Sequence, residues 1–265
     1  MKTKENLKEI IEKSGNSFHF QVMKFLREKE WKVLVSPYYL DCYSEKPREV
    51  DIIAEKSFKM LNRYKEVKGI VNLRLIIECK YIDKNLVFWT DVKDHVNAIK
   101  LVEHVAGIKA PDRNTYYSKH HYLSDCSVGK LFSGEKPDGS EREPFFTAIT
   151  QCINSLIFFR SIQRQGKAIF EKEKEHYPIL HTLQYPLIVC KNFNSMFQFA
   201  PSEDNEPEKI ERFFQFEVNY AFKDNECFSK EYFIIDVVDF THFEEFLDDI
   251  EEKDIENALR TKYMG

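Results

Sequence analysis

Glu78 and Lys80 stand two residues apart inside "LRLIIECKYI", residues 73–82, a run that is otherwise apolar. Side chains alternate along a strand, so the two charges leave the same face about 6–7 Å apart while Ile77 and Cys79 face the other way. An unpaired charge in an apolar setting is strongly disfavoured, so such a pair has to be mutually compensated, near solvent, or bound to something that requires it. The tripeptide alone carries little information: an acid followed two residues later by lysine occurs at Glu30, Glu66, Glu78, Asp91 and Glu251. Only the Glu78 copy lies in a strongly apolar strand. What sharpens it is Asp51, which leads the apolar run "DIIAEK" in the preceding predicted strand. If the two strands pair, at the usual spacing of about 4.8 Å, their carboxylates meet. Two carboxylates at one point repel each other, and a divalent cation resolves the repulsion. Hard oxygen ligands with open positions suit Mg²⁺, which keeps several waters and binds through one or two carboxylates plus phosphate oxygens. A lysine beside them can orient or help deprotonate an attacking water and neutralise charge on the phosphate. The chemistry implied is phosphodiester hydrolysis.

Those residues need a sheet to hold them and helices to cover it. Residues 4–13 and "NSFHFQVMKFLREKE" show helical spacing and predict an N-terminal helical hairpin, the second helix N-capped by Asn16 or Ser17. "WKVLVSPYYL", "EVDIIAEK" and "NLRLIIECKYI" read as three strands, with a polar excursion at 56–71 before the third. A helix is expected over 90–106, a long excursion or lid over 107–142, and a long helix over 144–172. "YPLIVCKNF", "FFQFEVNYAF" and "EYFIIDVVDF" read as strands, and a closing amphipathic helix capped by Thr241 follows. Helices and strands mix without strict alternation, which predicts one α/β domain over 1–265 with a mixed sheet.

Asp51 followed by "IIECK" after a helix and a hairpin resembles the PD-(D/E)XK nuclease superfamily, whose members share the restriction-endonuclease-like fold. The resemblance covers residues 15–82 well and implies a mixed central sheet flanked by helices. Residues 1–172 would form the nuclease-like core, interrupted at 107–142, and 173–265 would add C-terminal strands and an acidic helix to the same domain. It further implies that Asp51 and Glu78 hold the metal together with the backbone carbonyl of Cys79, and that Lys80 serves the water. The family's proline before the aspartate is Val50 here. Where many relatives place a glutamate on the first helix, "GNSFH" places His19, which is an accessory candidate alongside Gln151 on the long helix. The implied activity is that of a nuclease using Mg²⁺, or Mn²⁺ in its place, acting on nucleic acid and foremost on DNA, with a homodimer as the family's usual way of cutting both strands. The competing expectation is a catalytically inactive nuclease-like subunit of a bacterial defence or repair assembly.

The remaining composition sets bounds. Residues 1–200 carry 32 Lys and Arg against 25 Asp and Glu, whereas residues 201–265 carry 7 against 19. The net charge of -5 therefore leaves room for a basic working face on the first two thirds, and "EEFLDDIEEKDIE" reads as a solvated helix face. Six cysteines without a CxxC pair point to free thiols in a reducing, cytoplasmic setting and to no structural zinc. The longest uninterrupted apolar runs fall far short of the roughly 20 residues of a membrane span. His120 and His121, with Asp125 in "SKHHYLSDC", read as solvent-facing loop residues. The aromatics of "SPYYLDCY" and "TYYSKHHY" can stack bases beside Arg113 and Lys119 or fill core and turns.

Overall fold

A computed structural model describes residues 15–41, 44–106, 120–125, 127–134, 144–165, 169–170, 177–201, 206–224, 227–256 and 258–259. The chain runs through helix α1 (Asn16–Glu28), strands β1 (Lys32–Val35), β2 (Tyr38–Leu40), β3 (Pro47–Glu49), β4 (Ile52–Leu61), β5 (Val67–Lys80) and β6 (Leu86–Val92), then helices α2 (His95–Ala106) and α3 (His121–Ser124). Strand β7 (Ser127–Gly134), helix α4 (Pro144–Arg164) and strands β8 (Ile179–Cys190), β9 (Met196–Phe199), β10 (Glu208–Lys209), β11 (Phe213–Asp224) and β12 (Cys227–Asp239) follow. Helix α5 (Phe243–Ile250) closes the described order and continues into a π turn, Glu251–Ile255.

Ten strands form one mixed sheet in the order β1-β4-β5-β8-β12-β11-β7-β6-β9-β10, and β2 and β3 form a separate hairpin. β1, β4 and β5 are an antiparallel meander, β8 lies parallel to β5, and β12 parallel to β8. β5 is buried along most of its length because both of its faces are covered, which is why it reads as a nearly continuous apolar run. Val71, Leu73, Leu75 and Ile77 pack with residues of α1, α2 and α5 on one face. Ile76 on the other packs with α4 through Phe145, Ile149, Cys152 and Ile153. The two halves of the sheet meet again at β7 and β11, where Gly129 faces Phe216. A Cβ at Gly129 would lie 2.7 Å from the Phe216 ring, so this close approach requires glycine.

Several expectations are corrected. The polar stretch 56–71 is not an excursion but the long β4–β5 hairpin, whose turn is tied by Asn62 accepting hydrogen bonds from the backbone of Tyr64 and Glu66. The stretch 90–106 is the end of β6 followed by a helix that starts at His95. Residues 120–134 are not a lid: α3 is buried and β7 is an internal strand of the sheet. Helix α1 begins after Gly15, with no side-chain cap from Asn16 or Ser17. Thr241 does not cap the closing helix, whose N-cap His242 makes no side-chain bond; Asp239 caps the 3-10 turn before it, accepting from the Thr241 backbone and hydroxyl. The first member of the expected N-terminal hairpin, 4–13, lies outside the described residues. Helix α4 is long and apolar enough, by length and composition, to cross a membrane, but half of that window is buried in the protein, against the sheet.

Candidate functional site

The β4–β5 register places Ile52 opposite Ile77, so Asp51, one residue before β4, stands opposite Glu78. The pairing on which the metal reading depends is therefore present. Two backbone contacts hold Asp51 there: its carbonyl accepts from the Ser36 N–H at 2.9 Å, and its Oδ2 accepts from the Cys79 N–H at 2.7 Å. The N–H and C=O of one strand residue leave the same edge, so the Cys79 carbonyl also turns toward the β4 edge where Asp51 lies.

Lys80 lies between the two acids. Its Nζ is 2.8 Å from Glu78 Oε2 and 3.8 Å from Asp51 Oδ2. His19, carried on α1 because Phe18 and Val22 anchor that helix to the sheet, sits with Nε2 3.3 Å from the same Asp51 oxygen. Glu78 is 0% exposed, and among the described residues its Oε1 has no hydrogen-bond partner. Tyr39, from β2, is buried nearby with a hydroxyl that likewise has no partner. Burial raises the Tyr39 pKa, with Asp41 and then Glu78 adding to the shift. A buried carboxyl oxygen left without a donor calls for a partner, whether a proton, a water or an ion.

Electrostatics follow from that geometry. Burial pushes the Glu78 carboxyl up to about 8, with Lys80 opposing and Asp51 adding to the rise. Lys80 is raised as well: burial works against its charge, but Glu78 and Asp51 together outweigh it. Geometry favours a raised Glu78, because one of its oxygens lacks a donor while Lys80 retains Asp51 as a second counter-charge. The ammonium thus occupies the place between two carboxylates that a divalent cation would take.

His19, Asp51 and Cys79 also bring a ring nitrogen, a carboxylate oxygen and a thiol within 4.8 Å of one another. Burial raises the Cys79 thiol well above its ordinary range, with Asp51 and Glu78 adding to it, so the sulfur is not an available thiolate. Of these groups, the carboxylate oxygens of Asp51 and Glu78 are the ones whose chemistry suits a hard cation. Gln151 does not enter: its Nε2 donates to the Glu49 carbonyl at 3.4 Å, which braces the strand leading to Asp51. If Glu78 is a metal ligand it must lose a proton to bind. Below pH 8 the affinity for Mg²⁺ or Mn²⁺ should therefore rise about tenfold per pH unit and level off above it, read by calorimetry in buffers of different ionisation enthalpy. An affinity flat from pH 6 to pH 8 would remove Glu78 from the ligand set.

A second polar cluster went unrecognised in the sequence. His120 and His121 are buried, not solvent-facing. His121 places Nδ1 against Asp254 Oδ2 and Nε2 3.1 Å from Asp236 Oδ2, and its backbone N–H donates to Asp254 Oδ1 at 3.0 Å. Gln215 Nε2 donates to Asp236 at 3.1 Å, and Lys93 donates to Gln215 Oε1 at 2.7 Å. His120 Nδ1 accepts from the Tyr122 N–H, which leaves Nε2 carrying the proton beside the Tyr185 hydroxyl. His120, His121 and Asp254 lie within ligand distance of one another, but the ring nitrogens are already engaged: both His121 nitrogens face carboxylates, and His120 Nδ1 accepts from the Tyr122 N–H. These bonds make the cluster a brace between β12 and the Glu251–Ile255 turn. The signals that reveal it were an acid, Asp236, inside "FIIDVVDF", and Asp254 four residues after buried Ile250 on the apolar stripe of α5.

Comparison with protein-family models, with curated proteins and with solved structures finds no match for this chain.

Proposed function

We propose that this protein is a nuclease that uses Mg²⁺ or Mn²⁺ to hydrolyse phosphodiester bonds, with DNA as the first substrate class, on a restriction-endonuclease-like core. The observation that carries the reading is the buried, unpartnered Glu78 oxygen, set by strand register across from Asp51 with Lys80 between them. Helix α1, the antiparallel strands β1, β4 and β5, and β8 parallel to β5 with α4 against the sheet fit the mixed central sheet flanked by helices that the resemblance implies.

Asp51 and Glu78 would hold the ion, with the Cys79 carbonyl at its edge. A bound ion supplies Lewis-acid polarisation of the phosphoryl oxygen and a lowered pKa for its water. Lys80, 3.8 Å from Asp51 and 2.8 Å from Glu78, would orient the water and offset charge on the phosphate. His19, at 3.3 Å from Asp51, orients that carboxylate or a water bound near it.

The inactive-subunit alternative rested partly on the acidic C-terminal helix. Much of that acid is used within the chain: Glu244 pairs with Lys29, Glu245 with Arg212 at 2.8 Å, and Glu251 with Lys56 at 2.7 Å. The deciding experiment is cleavage of supercoiled, linear and single-stranded DNA, and of RNA, by the purified protein with Mg²⁺, Mn²⁺ or chelator. Absence of metal-dependent cleavage on every substrate would sink the catalytic reading and leave the interaction subunit.

A further inference from the structure

The aromatic stretch "SPYYLDCY" divides in the structure. Tyr39 is buried in the core against Phe158, whereas Tyr38 is 66% exposed. The backbone around Tyr38 is tied to the segment that carries Asp51: the Ser36 N–H donates to the Asp51 carbonyl, the Val50 N–H donates to the Pro37 carbonyl, and Tyr38 is the register partner of Glu49. Tyr38 therefore stands on the neighbouring chain segment, opposite the residue two before Asp51.

On the other side of the site Tyr81 follows Lys80 directly and is 59% exposed. The Lys191 N–H donates to the Lys80 carbonyl at 2.9 Å, and the exposed Lys191 ammonium lies over the Tyr81 ring, 5.1 Å from its centroid. Among the described residues no acid pairs with Lys191. The two tyrosines thus bracket Asp51 and Lys80 at the end of the sheet where β1, β5 and β8 finish and β4 starts.

The groups between them are recessed. The side chains of Asp51 and Lys80 are 14% and 19% exposed, and Glu78 is fully buried. Exposed rings beside recessed charges suit a strand whose bases are free. Each unpaired base presents a π face to a tyrosine whatever its sequence, while the backbone meets the Lys191 ammonium. In an intact duplex those faces are already stacked on neighbouring base pairs, so the rings add nothing to its binding.

We propose that this end of the sheet takes an unpaired DNA strand in preference to duplex, with bases stacked on Tyr38 and Tyr81 and a phosphate held by Lys191. The inference rests on the nuclease reading of Asp51, Glu78 and Lys80 and adds the form of the substrate to it. Fluorescence anisotropy in chelator measures binding by the full chain without turnover, with a labelled oligothymidylate of about 15 nucleotides and a duplex of the same length as probes. The single strand should bind at least about tenfold more tightly than the duplex, and Tyr38→Ala and Tyr81→Ala should each weaken it about tenfold. Tyr38→Phe and Tyr81→Phe should bind as wild type does, because the ring and not the hydroxyl is used. Tyr64→Ala, at an equally exposed tyrosine in the turn at the far end of β5, should change nothing. Lys191→Gln should lower the slope of log affinity against log salt by about 0.7, the loss of one phosphate contact on a single strand. Cleavage assays with Mg²⁺ or Mn²⁺ separate this inference from the reading beneath it. Single-strand binding through the two tyrosines without any cleavage upholds the binding site and removes the catalytic reading. Cleavage of duplex as fast as single strand, with both alanine variants unaffected, keeps catalysis and overturns the preference. No binding of the single strand up to about 100 μM, duplex bound as tightly, affinity unchanged in both alanine variants, or a salt slope unchanged by Lys191→Gln overturns the proposal as well.

Discussion

Glu78→Gln abolishes divalent-metal binding and metal-dependent cleavage, yet folds: its stability stays within about 1 kcal/mol of wild type below pH 4.5 and exceeds it increasingly from there toward pH 8. Both halves follow from the burial that pushes this carboxyl up to about 8 in the metal-free protein, so that wild type alone must take up a proton to fold. Glutamine preserves the shape and the neutral state but cannot deliver the anion that a metal needs. The sign is checked in the wild type: a carboxyl raised from 4.5 to about 8 takes up a proton on folding. Its contribution is complete below pH 4.5 and is lost as pH rises through 8, so Mg²⁺ should stabilise the protein most on the alkaline side. Lys80→Met separates roles further. Removing the ammonium that now sits between the carboxylates leaves metal affinity equal or tighter, while turnover falls on the order of 10²- to 10⁴-fold if Lys80 serves the water. Asp51→Asn keeps an oxygen for the Cys79 N–H and so keeps the fold, but loses the metal. Calorimetric metal titration, chemical denaturation and cleavage rates measured side by side decide the matter. A Glu78→Gln protein that cleaves normally, or a Lys80→Met protein that loses metal binding with its activity, contradicts the assignment.

The candidate site was legible because its signal was local: two charges two residues apart in an apolar strand, and a second acid leading the strand before. The structure adds what no local pattern contains, the register that sets Asp51 against Glu78 and the lack of any partner for Glu78 Oε1. The meander β1–β4–β5 was visible for the same reason, since each strand alternates or is apolar throughout. The far half of the sheet was less so. β7 has a short burial pattern and a glycine at the Phe216 contact, and β6 runs into polar Thr90 and Asp91, so neither shows a clean period. Their pairing depends on partners 35 or more residues away. His120 and His121 were misplaced because their surroundings in sequence are polar, whereas their surroundings in space are Asp236 from β12 and Asp254 from the π turn. Polarity of neighbours along the chain is a guide to exposure only where the segment makes no distant hydrogen bonds.

His121→Ala should be the most damaging single substitution in the chain, lowering stability by about 3–5 kcal/mol. Among the described residues His121 is the only ion-pair partner of Asp236, and it shares Asp254 with His120. Without it, two carboxylates remain in the core between the Glu251–Ile255 turn and β12. The Asp254 carboxyl, which burial would raise, is held down to about 2 by His120 and His121. His121 itself, against burial, is held up to about 10 by Asp254 and then Asp236. A base raised above its ordinary 6.5 contributes fully below that pH and is lost as pH climbs through 10. His120 runs the other way: burial lowers it to about 4, so its contribution is present above 6.5 and lost as pH falls through 4. The cluster therefore places a maximum of stability near neutral pH, with an alkaline limb owed to His121 and an acid limb owed to His120. Urea denaturation of the wild type from pH 4 to pH 10 reads both limbs even if His121→Ala fails to fold. His120→Gln should flatten the acid limb alone. Replacing His121 by leucine together with Asp236→Asn and Asp254→Asn removes the charges as a set and should recover most of the loss, because a buried ion pair contributes less through its own attraction than through the damage done when one member is taken away. A wild type with flat stability between pH 6.5 and pH 10, or a His121→Ala protein as stable as its parent, would show that the cluster is not the brace its geometry describes.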